Sequence, residues 1–180
     1  EVLDYYNAIL ADQERATVRQ ERRPDGVAQT VSGSGEAEVV AIALLDEAGQ
    51  GIDAVEVGSP VSLEVRVRIN RAVDRLVLGF LIKDRLGQAI YGINTHRLDL
   101  AIEDAVAGEE IVYRFAFPLN LGRGSYSVST SLSRLDSHLD GNYEWRDLGL
   151  MFHVMNSSRE DFVGCTWLAP RPAIERHRPA

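Results

Sequence analysis

The sequence predicts an all-β fold, an antiparallel sandwich, on three observations. Apolar and polar residues alternate with period two over several short runs, the pattern of strands with one buried and one polar face. Turn residues punctuate those runs at regular spacing, giving about eight to ten short strands, as in sandwich domains. The helix-strand alternation that a parallel sheet requires is missing.

Taken in order, Val2, Leu3, Tyr6, Ile9 and Leu10 fall at near-helical spacing, so residues 1–14 predict a short amphipathic helix. Residues 12–36 turn polar, with Pro24-Asp25-Gly26 and Ser32-Gly33-Ser34-Gly35, and predict a poorly ordered loop. Strand structure is expected to begin at Ala37 and run to Asp46, where Glu47-Ala48-Gly49 forms a turn. Val55-Glu56-Val57 leads into the clearest alternation: Val61, Leu63, Val65, Val67 and Ile69 share one face, and Ser62, Glu64, Arg66 and Arg68 the other. That strand is expected near an outer face.

The stretch from Leu78 to Arg97 predicts a hairpin around which the other strands pack. Two extended apolar arms flank Asp84-Arg85-Leu86-Gly87, whose glycine can take the positive φ of a tight turn. Both arms read as central strands because both are largely apolar. Residues 98–107 read as an acidic connection. Ile111, Tyr113, Phe115 and Phe117 then alternate up to Pro118, and after the Leu121-Gly122-Arg123-Gly124 turn Tyr126, Val128, Thr130 and Leu132 alternate with Ser125, Ser127, Ser129 and Ser131. Leu148–Met155 and Asp161–Leu168 predict two further strands, and a loose Pro-rich tail follows Ala169. The apolar run Phe162–Leu168 would be a liability as an exposed edge, so it predicts pairing with a second chain, by exchange of this strand or otherwise.

At 180 residues and 45% hydrophobic content, the chain fits one globular domain with a full core. Its formal charge of −8 argues against nucleic acid binding, which needs a basic patch. The single cysteine, Cys165, cannot form an internal disulfide, which fits a cytoplasmic setting. The chain begins with Glu, and this predicts a fragment of a longer protein whose other part holds any catalysis.

Catalytic and metal motifs find no support. The phosphate-cradling G-x-x-x-x-G-K-[ST] loop is missing, so this segment alone is expected to bind no nucleotide. His96, His138, His153 and His177 lie at no metal-ligand spacing, and no cofactor is expected. Asp136-Ser137-His138-Leu139-Asp140-Gly141, with Asp147 near a closing position, has the outline of a calcium loop. His138 stands where an oxygen donor is needed, so the segment reads as a solvated turn. A two-carboxylate glycosidase has no pointer either.

The serine row leaves two readings open. Ser125, Ser127, Ser129 and Ser131 can simply face water. Alternatively, small hydroxyls that both donate and accept line a shallow groove suited to sugars. An aromatic platform would complete such a site, and Trp167, Trp145 and Tyr143 are the candidates, Trp167 first. Gly92, Asn94 and His96 alternate on the hairpin and are the expected polar neighbours.

These residues also carry a resemblance. Gly79-Phe80-Leu81-Ile82-Lys83-Asp84, Gly87, Ile90 to Thr95, Gly108-Glu109 and Gly122 to Tyr126, with a D-x-x-G-x-x-x-x-G-x-N-T arrangement ending at Thr95, resemble the C-terminal domain of the ATP-binding subunit of O-antigen polysaccharide ABC exporters, the Wzt type. The leading Val2-Leu3-Asp4-Tyr5-Tyr6-Asn7 is similar to the junction that follows the nucleotide-binding domain in such subunits.

The resemblance implies an immunoglobulin-like β-sandwich over residues 36–169, preceded by a linker over 1–35 and followed by a tail over 170–180. It implies a non-catalytic module that binds the terminal part of a lipid-linked polysaccharide at the cytoplasmic face of the inner membrane. The implied partners are the nucleotide-binding domain of the same polypeptide, the exporter's membrane subunit and a second copy in a homodimer. The competing reading is a dimerisation sandwich indifferent to glycans.

Overall fold

The computed structural model describes residues 19–22, 28–135 and 142–177. The helix expected over 1–14 and the loop Asp136–Gly141 with His138 lie outside those residues. Among the described residues eleven strands and no helix make up the regular structure: β1 (Arg19–Arg22), β2 (Ala28–Ser32), β3 (Ala37–Leu45), β4 (Ala54–Glu56), β5 (Pro60–Ile69), β6 (Val73–Asp84), β7 (Ala89–Asn94), β8 (Ile102–Ala105), β9 (Glu110–Pro118), β10 (Gly124–Ser133) and β11 (Asn142–Met155).

They form two layers. An eight-stranded sheet runs in the order β1-β2-β11-β10-β6-β7, with β4 pairing β11 and β8 pairing β6. A three-stranded sheet runs β3-β5-β9. Pairing is antiparallel except between β4 and β11.

The period-two pattern of β5 does what it predicts. Val61, Leu63, Val65, Val67 and Ile69 are all buried between the sheets, while Arg66 and Arg68 point to water. On that outer side Glu64 is gripped by Arg66 Nε at 2.9 Å and by Arg114 Nε at 2.8 Å from the facing strand. From the large sheet, Leu78, Phe80 and Ile82 of β6, Tyr126, Val128 and Leu132 of β10, and Phe152 and Val154 of β11 close the core. Phe80 meets Phe115 of the opposite layer at 5.0 Å and Phe117 at 6.5 Å, so aromatic contacts tie the two sheets together. Tyr126 stands at the start of β10, stacks on Phe152 and donates its hydroxyl to the Gly122 carbonyl at 2.8 Å. That closure of a turn by a tyrosine is a recurrent sandwich device.

The hairpin forms as the sequence predicts. Asp84 Oδ1 accepts the amides of Leu86 and Gln88, and Gly87 sits at φ +80°. Thr95 is fully buried and binds Leu78 in both directions, its Oγ1 accepting the Leu78 amide at 3.0 Å. The motif residues Asp84, Gly87 and Thr95 therefore build the turn and tie off the strand.

Four expectations need correction. First, β7 is the last strand of its sheet and only β6 is central; apolar content misled because Ile90 and Ile93 pack only partly buried against the core, while Ala89, Tyr91 and Gly92 are exposed. Second, β1 and β2 lie in the stretch expected as a loop, since backbone ladders let polar sequences extend a sheet. Third, the acidic connection contains β8, with Asp99 and Asp104 at positive φ, which Asp tolerates. Fourth, Asp161–Leu168 is not a strand. It is an extended segment with one bridge, Leu121 to Thr166, pinned by Phe162 and Trp167 against the core.

Candidate functional site

The serine row lies on the face of the large sheet turned away from the core. Registers across β10 place Ser127 beside Lys83 and Met151, Ser129 beside Leu81, Ser131 beside Gly79 and Trp145, and Ser125 beside His153. Across β6, Gly79 pairs Asn94 and Leu81 pairs Gly92. The outer face thus gathers the serines, Gly92, Asn94, Lys83, Trp145 and His153 on four neighbouring strands.

This face is far less wet than alternation suggests. Ser127 is 6% exposed and Ser129 is fully buried. Longer neighbours lie over the short hydroxyls, with the Lys83 stem and Leu81 flanking the row. Close packing explains the glycines. A Cβ on Gly79 would lie 2.6 Å from Ser131 Oγ and 3.5 Å from Asn94 Cβ, and one on Gly92 would lie 2.8 Å from Leu81 Cδ1.

A polar network runs through the middle. Lys83 Nζ donates to Asp147 Oδ1 at 2.9 Å and stands 5.9 Å from the Trp145 ring centroid, within cation–π range. Ser129 Oγ donates to the same Asp147 oxygen at 2.5 Å. Burial alone would push the Asp147 carboxyl up, but the hydrogen bonds from Lys83 and Ser129 outweigh it and hold the group below the usual carboxylate range. At the far end Ser125 Oγ and His153 Nδ1 are 3.0 Å apart.

The structure separates the other sequence candidates from this face. Trp167 packs over Gly58, where a Cβ would lie 2.5 Å from its ring, and Arg159 stands 4.6 Å above it. It is anchored by its amide to the Asn120 carbonyl and serves the end of the sandwich. Tyr143 turns inward, 8% exposed, and donates its hydroxyl to the Arg75 carbonyl at 3.0 Å. His96 leaves the strand for the following turn, where its Nδ1 accepts from the Arg75 guanidinium at 3.0 Å. Trp145, Ser125, Ser127, Ser129 and Asn94 are brought together; Trp167, Tyr143 and His96 are not.

Lys83 and Asp147 were not among the candidates. Lys83 is visible in the sequence as an outward alternate on β6. Asp147 is not, because its placement depends on a break in the β10–β11 register between Val128 and Thr130.

A concavity opens elsewhere, at the side of the sandwich, between edge strands β7 and β9. Its volume is about 560 Å³, and Phe80, Ile82, Tyr91, Ile93, Phe115 and Phe117 line it. It is apolar and carries no titratable cluster. Among the described residues no group of His, Cys, Asp or Glu is placed to hold a metal, and no helix is long and apolar enough to cross a membrane.

Two antiparallel layers, a tyrosine-closed turn and a polar outer face define a β-sandwich module. Residues 28–168 match the family model of the Wzt C-terminal domain, and the chain belongs to that family. The crystal structure of the C-terminal domain of wzt superposes with a TM-score of 0.73 at 22% identity, covering 87% of this chain and 93% of that one, a likeness of fold. Two further solved structures are much less similar. The CARDB domain of a Pyrococcus furiosus protein in complex with di-metal ions has a TM-score of 0.37 at 14% identity, covering 66% of this chain and 93% of that one. A Listeria innocua β-glucosidase in complex with glucose has a TM-score of 0.35 at 10% identity, covering 72% of this chain and 16% of that one. No curated protein sequence matches the chain.

Proposed function

We propose that this domain binds the terminal part of a lipid-linked O-antigen polysaccharide and thereby confers substrate recognition on an ABC exporter, without catalysing a reaction. In this reading it works at the cytoplasmic side of the inner membrane, joined to a nucleotide-binding domain in the same polypeptide, docked to the exporter's membrane subunit and paired with a second copy. Family membership supports the class. The observation that carries the site is the convergence of Ser125, Ser127, Ser129, Ser131 and Asn94 with the Trp145 indole on one outer sheet face. Sugars need that combination, hydroxyls and amides for their polar edges and an aromatic surface for their apolar ones.

The test is calorimetric titration of the chain with the O-antigen polysaccharide of its own host. Trp145→Ala is expected to weaken binding by about tenfold or more, equivalent to ~1.4 kcal/mol. Trp167→Ala is expected to spare binding and to lower the melting temperature. The reverse pattern would move the site to the end of the sandwich.

A second reading rests on the side cleft. An apolar concavity of about 560 Å³ flanked by two sheet edges, with Tyr91, Val163 and Leu168 exposed, suits an association module. A stable dimer in solution that no polysaccharide on titration affects would favour that reading over glycan recognition.

A further inference from the structure

We infer that Asp147 is the specificity-determining residue of the outer face: its carboxylate, carried on a bulge of β11, accepts hydroxyl donors from a neutral sugar and disfavours anionic ones. This deepens the glycan reading above and rests on it.

The backbone supplies the first argument. Val128 pairs Leu150 and Thr130 pairs Arg146, so Asp147, Leu148 and Gly149 together face the single residue Ser129. Leu148 is held at φ +49°, a left-handed conformation that costs a non-glycine residue about 1 kcal/mol or more. Gly149 is pressed against the other layer, where a Cβ would lie 2.4 Å from Ile42 Cδ1. Bulges of this kind bend a strand and re-aim a side chain, and they concentrate beside binding sites. Here the bulge turns Asp147 onto the serine row.

The side chain supplies the second. Oδ1 accepts three hydrogen bonds, from Lys83 Nζ at 2.9 Å, Ser129 Oγ at 2.5 Å and the Leu148 amide at 3.0 Å. These donors come from three strands, and Ser129 is fully buried. A surface ion pair needs no such orientation. Among the described residues no donor reaches Oδ2, although the Asp147 side chain is 38% exposed. An ionised carboxylate only accepts, and its hydrogen bonds are roughly twice as strong as those between neutral groups. The free oxygen is therefore fitted to take one or both hydroxyls of a vicinal diol.

Charge supplies the third. Lys83 could attract an anionic sugar, but it is committed to Asp147 and to the Trp145 ring. Its side chain is only 18% exposed. A carboxylate or sulfate on the ligand would meet the charge of Asp147, and Lys83, the cation bonded to it, is already engaged. Neutral hexoses and 6-deoxyhexoses with adjacent free hydroxyls are the matching class.

The experiment measures binding of the intact chain to an array of neutral hexose and 6-deoxyhexose oligosaccharides beside their uronic acid and sulfated counterparts. Wild type is expected to take neutral glycans. Asp147→Asn, with its melting temperature recorded, is expected to lose roughly tenfold to a hundredfold of that affinity. It should also gain affinity for anionic glycans, because Lys83 is released. Adding Lys83→Met should cancel that gain, an effect that a merely structural role for Asp147 would not produce.

Ser129→Ala leaves the carboxylate in place and removes one donor that orients it, so a few-fold loss with the same discrimination is expected. Unchanged selectivity in a folded Asp147→Asn variant overturns the inference and leaves the glycan reading standing. So does a wild-type preference for anionic glycans. Should Asp147→Asn fail to fold, unaltered binding in Ser129→Ala overturns it as well. A wild type that takes no glycan removes the parent reading and this inference together.

Discussion

Both faces of the large sheet bury side chains of β10, but they do so by different chemistry. On the inner face Tyr126, Val128 and Leu132 of β10 meet Phe80, Ile82 and Phe152 in an apolar core against the small sheet. On the outer face the same strand presents Ser127 and fully buried Ser129, overlain by the Lys83, Asp147 and Trp145 network. Burial on the inside is held by area removed from water. On the outside each buried hydroxyl needs a partner, because a lost hydrogen bond leaves a desolvated group. One strand can thus carry an apolar core on one side and a hydrogen-bonded polar network on the other, with alternation keeping the two apart.

Breaking the inner face should produce the largest change. Phe152 is 1% exposed and stacked on Tyr126 at 5.6 Å. Phe152→Ala is expected to cost ~3–5 kcal/mol in denaturant unfolding, through lost transfer energy and the cavity left behind. Tyr126→Phe keeps that stack and deletes only the hydroxyl, stranding the Gly122 carbonyl, which is itself buried. A loss of about 1–2 kcal/mol is expected, read as a shift in denaturant midpoint at constant slope. A Tyr126→Phe variant as stable as wild type would show that the tyrosine serves packing alone.

How much of this was legible in the sequence follows the same division. The inner face was readable because an apolar alternate must go inward, so β5, β6, β9 and β10 were placed correctly. The hairpin turn was readable because Asp84 and Gly87 carry local chemistry that depends on no distant contact. The outer face was readable only as a list of residues. Serines at alternate positions say nothing of what lies over them, and Ser129 is buried by side chains from β6 and β11. Trp145 and Trp167 are indistinguishable by residue type; register put one beside Ser131 and packing put the other over Gly58. The aim of Asp147 depends on Leu148 at positive φ, which leucine does not advertise. Short polar strands such as β1 and β8 were missed because a backbone ladder leaves no mark on side-chain pattern.

The outer face can be sharpened with acid. The Asp147 carboxyl lies below its ordinary range in the folded chain, because the hydrogen bonds from Lys83 and Ser129 outweigh burial. A depressed carboxyl contributes stability that is fully present above the ordinary carboxylate pKa and is lost as pH falls through the folded value. The effect is smaller than either inner-face change, since a pair this open to solvent is screened. Asp147→Asn should remove this part of the acid limb, visible when unfolding midpoints of both proteins are compared between neutral pH and the acid limb. Parallel curves would mean the network carries no charge-dependent stability.

The smallest effect tests whether a hydroxyl in the core between the sheets is of any use at all. Tyr113 lies on β9, 8% exposed, with its hydroxyl oxygen buried and without a hydrogen-bond partner among the described residues. Burial, with a contribution from the Glu109 charge, pushes its phenol up well beyond the usual range, so it stays neutral throughout physiological pH. Tyr126, by contrast, satisfies its hydroxyl at Gly122. Deleting a satisfied buried hydroxyl strands its partner, whereas deleting an unsatisfied one relieves a desolvated dipole and strands nothing. Tyr113→Phe is therefore expected to leave stability unchanged or to raise it by up to about 1 kcal/mol, while Tyr126→Phe lowers it. The two substitutions remove the same atom from the same core, so opposite signs in matched denaturant titrations would isolate the partner as the cause. A loss of more than about 1 kcal/mol at Tyr113 would instead show that its hydroxyl has a partner in solution.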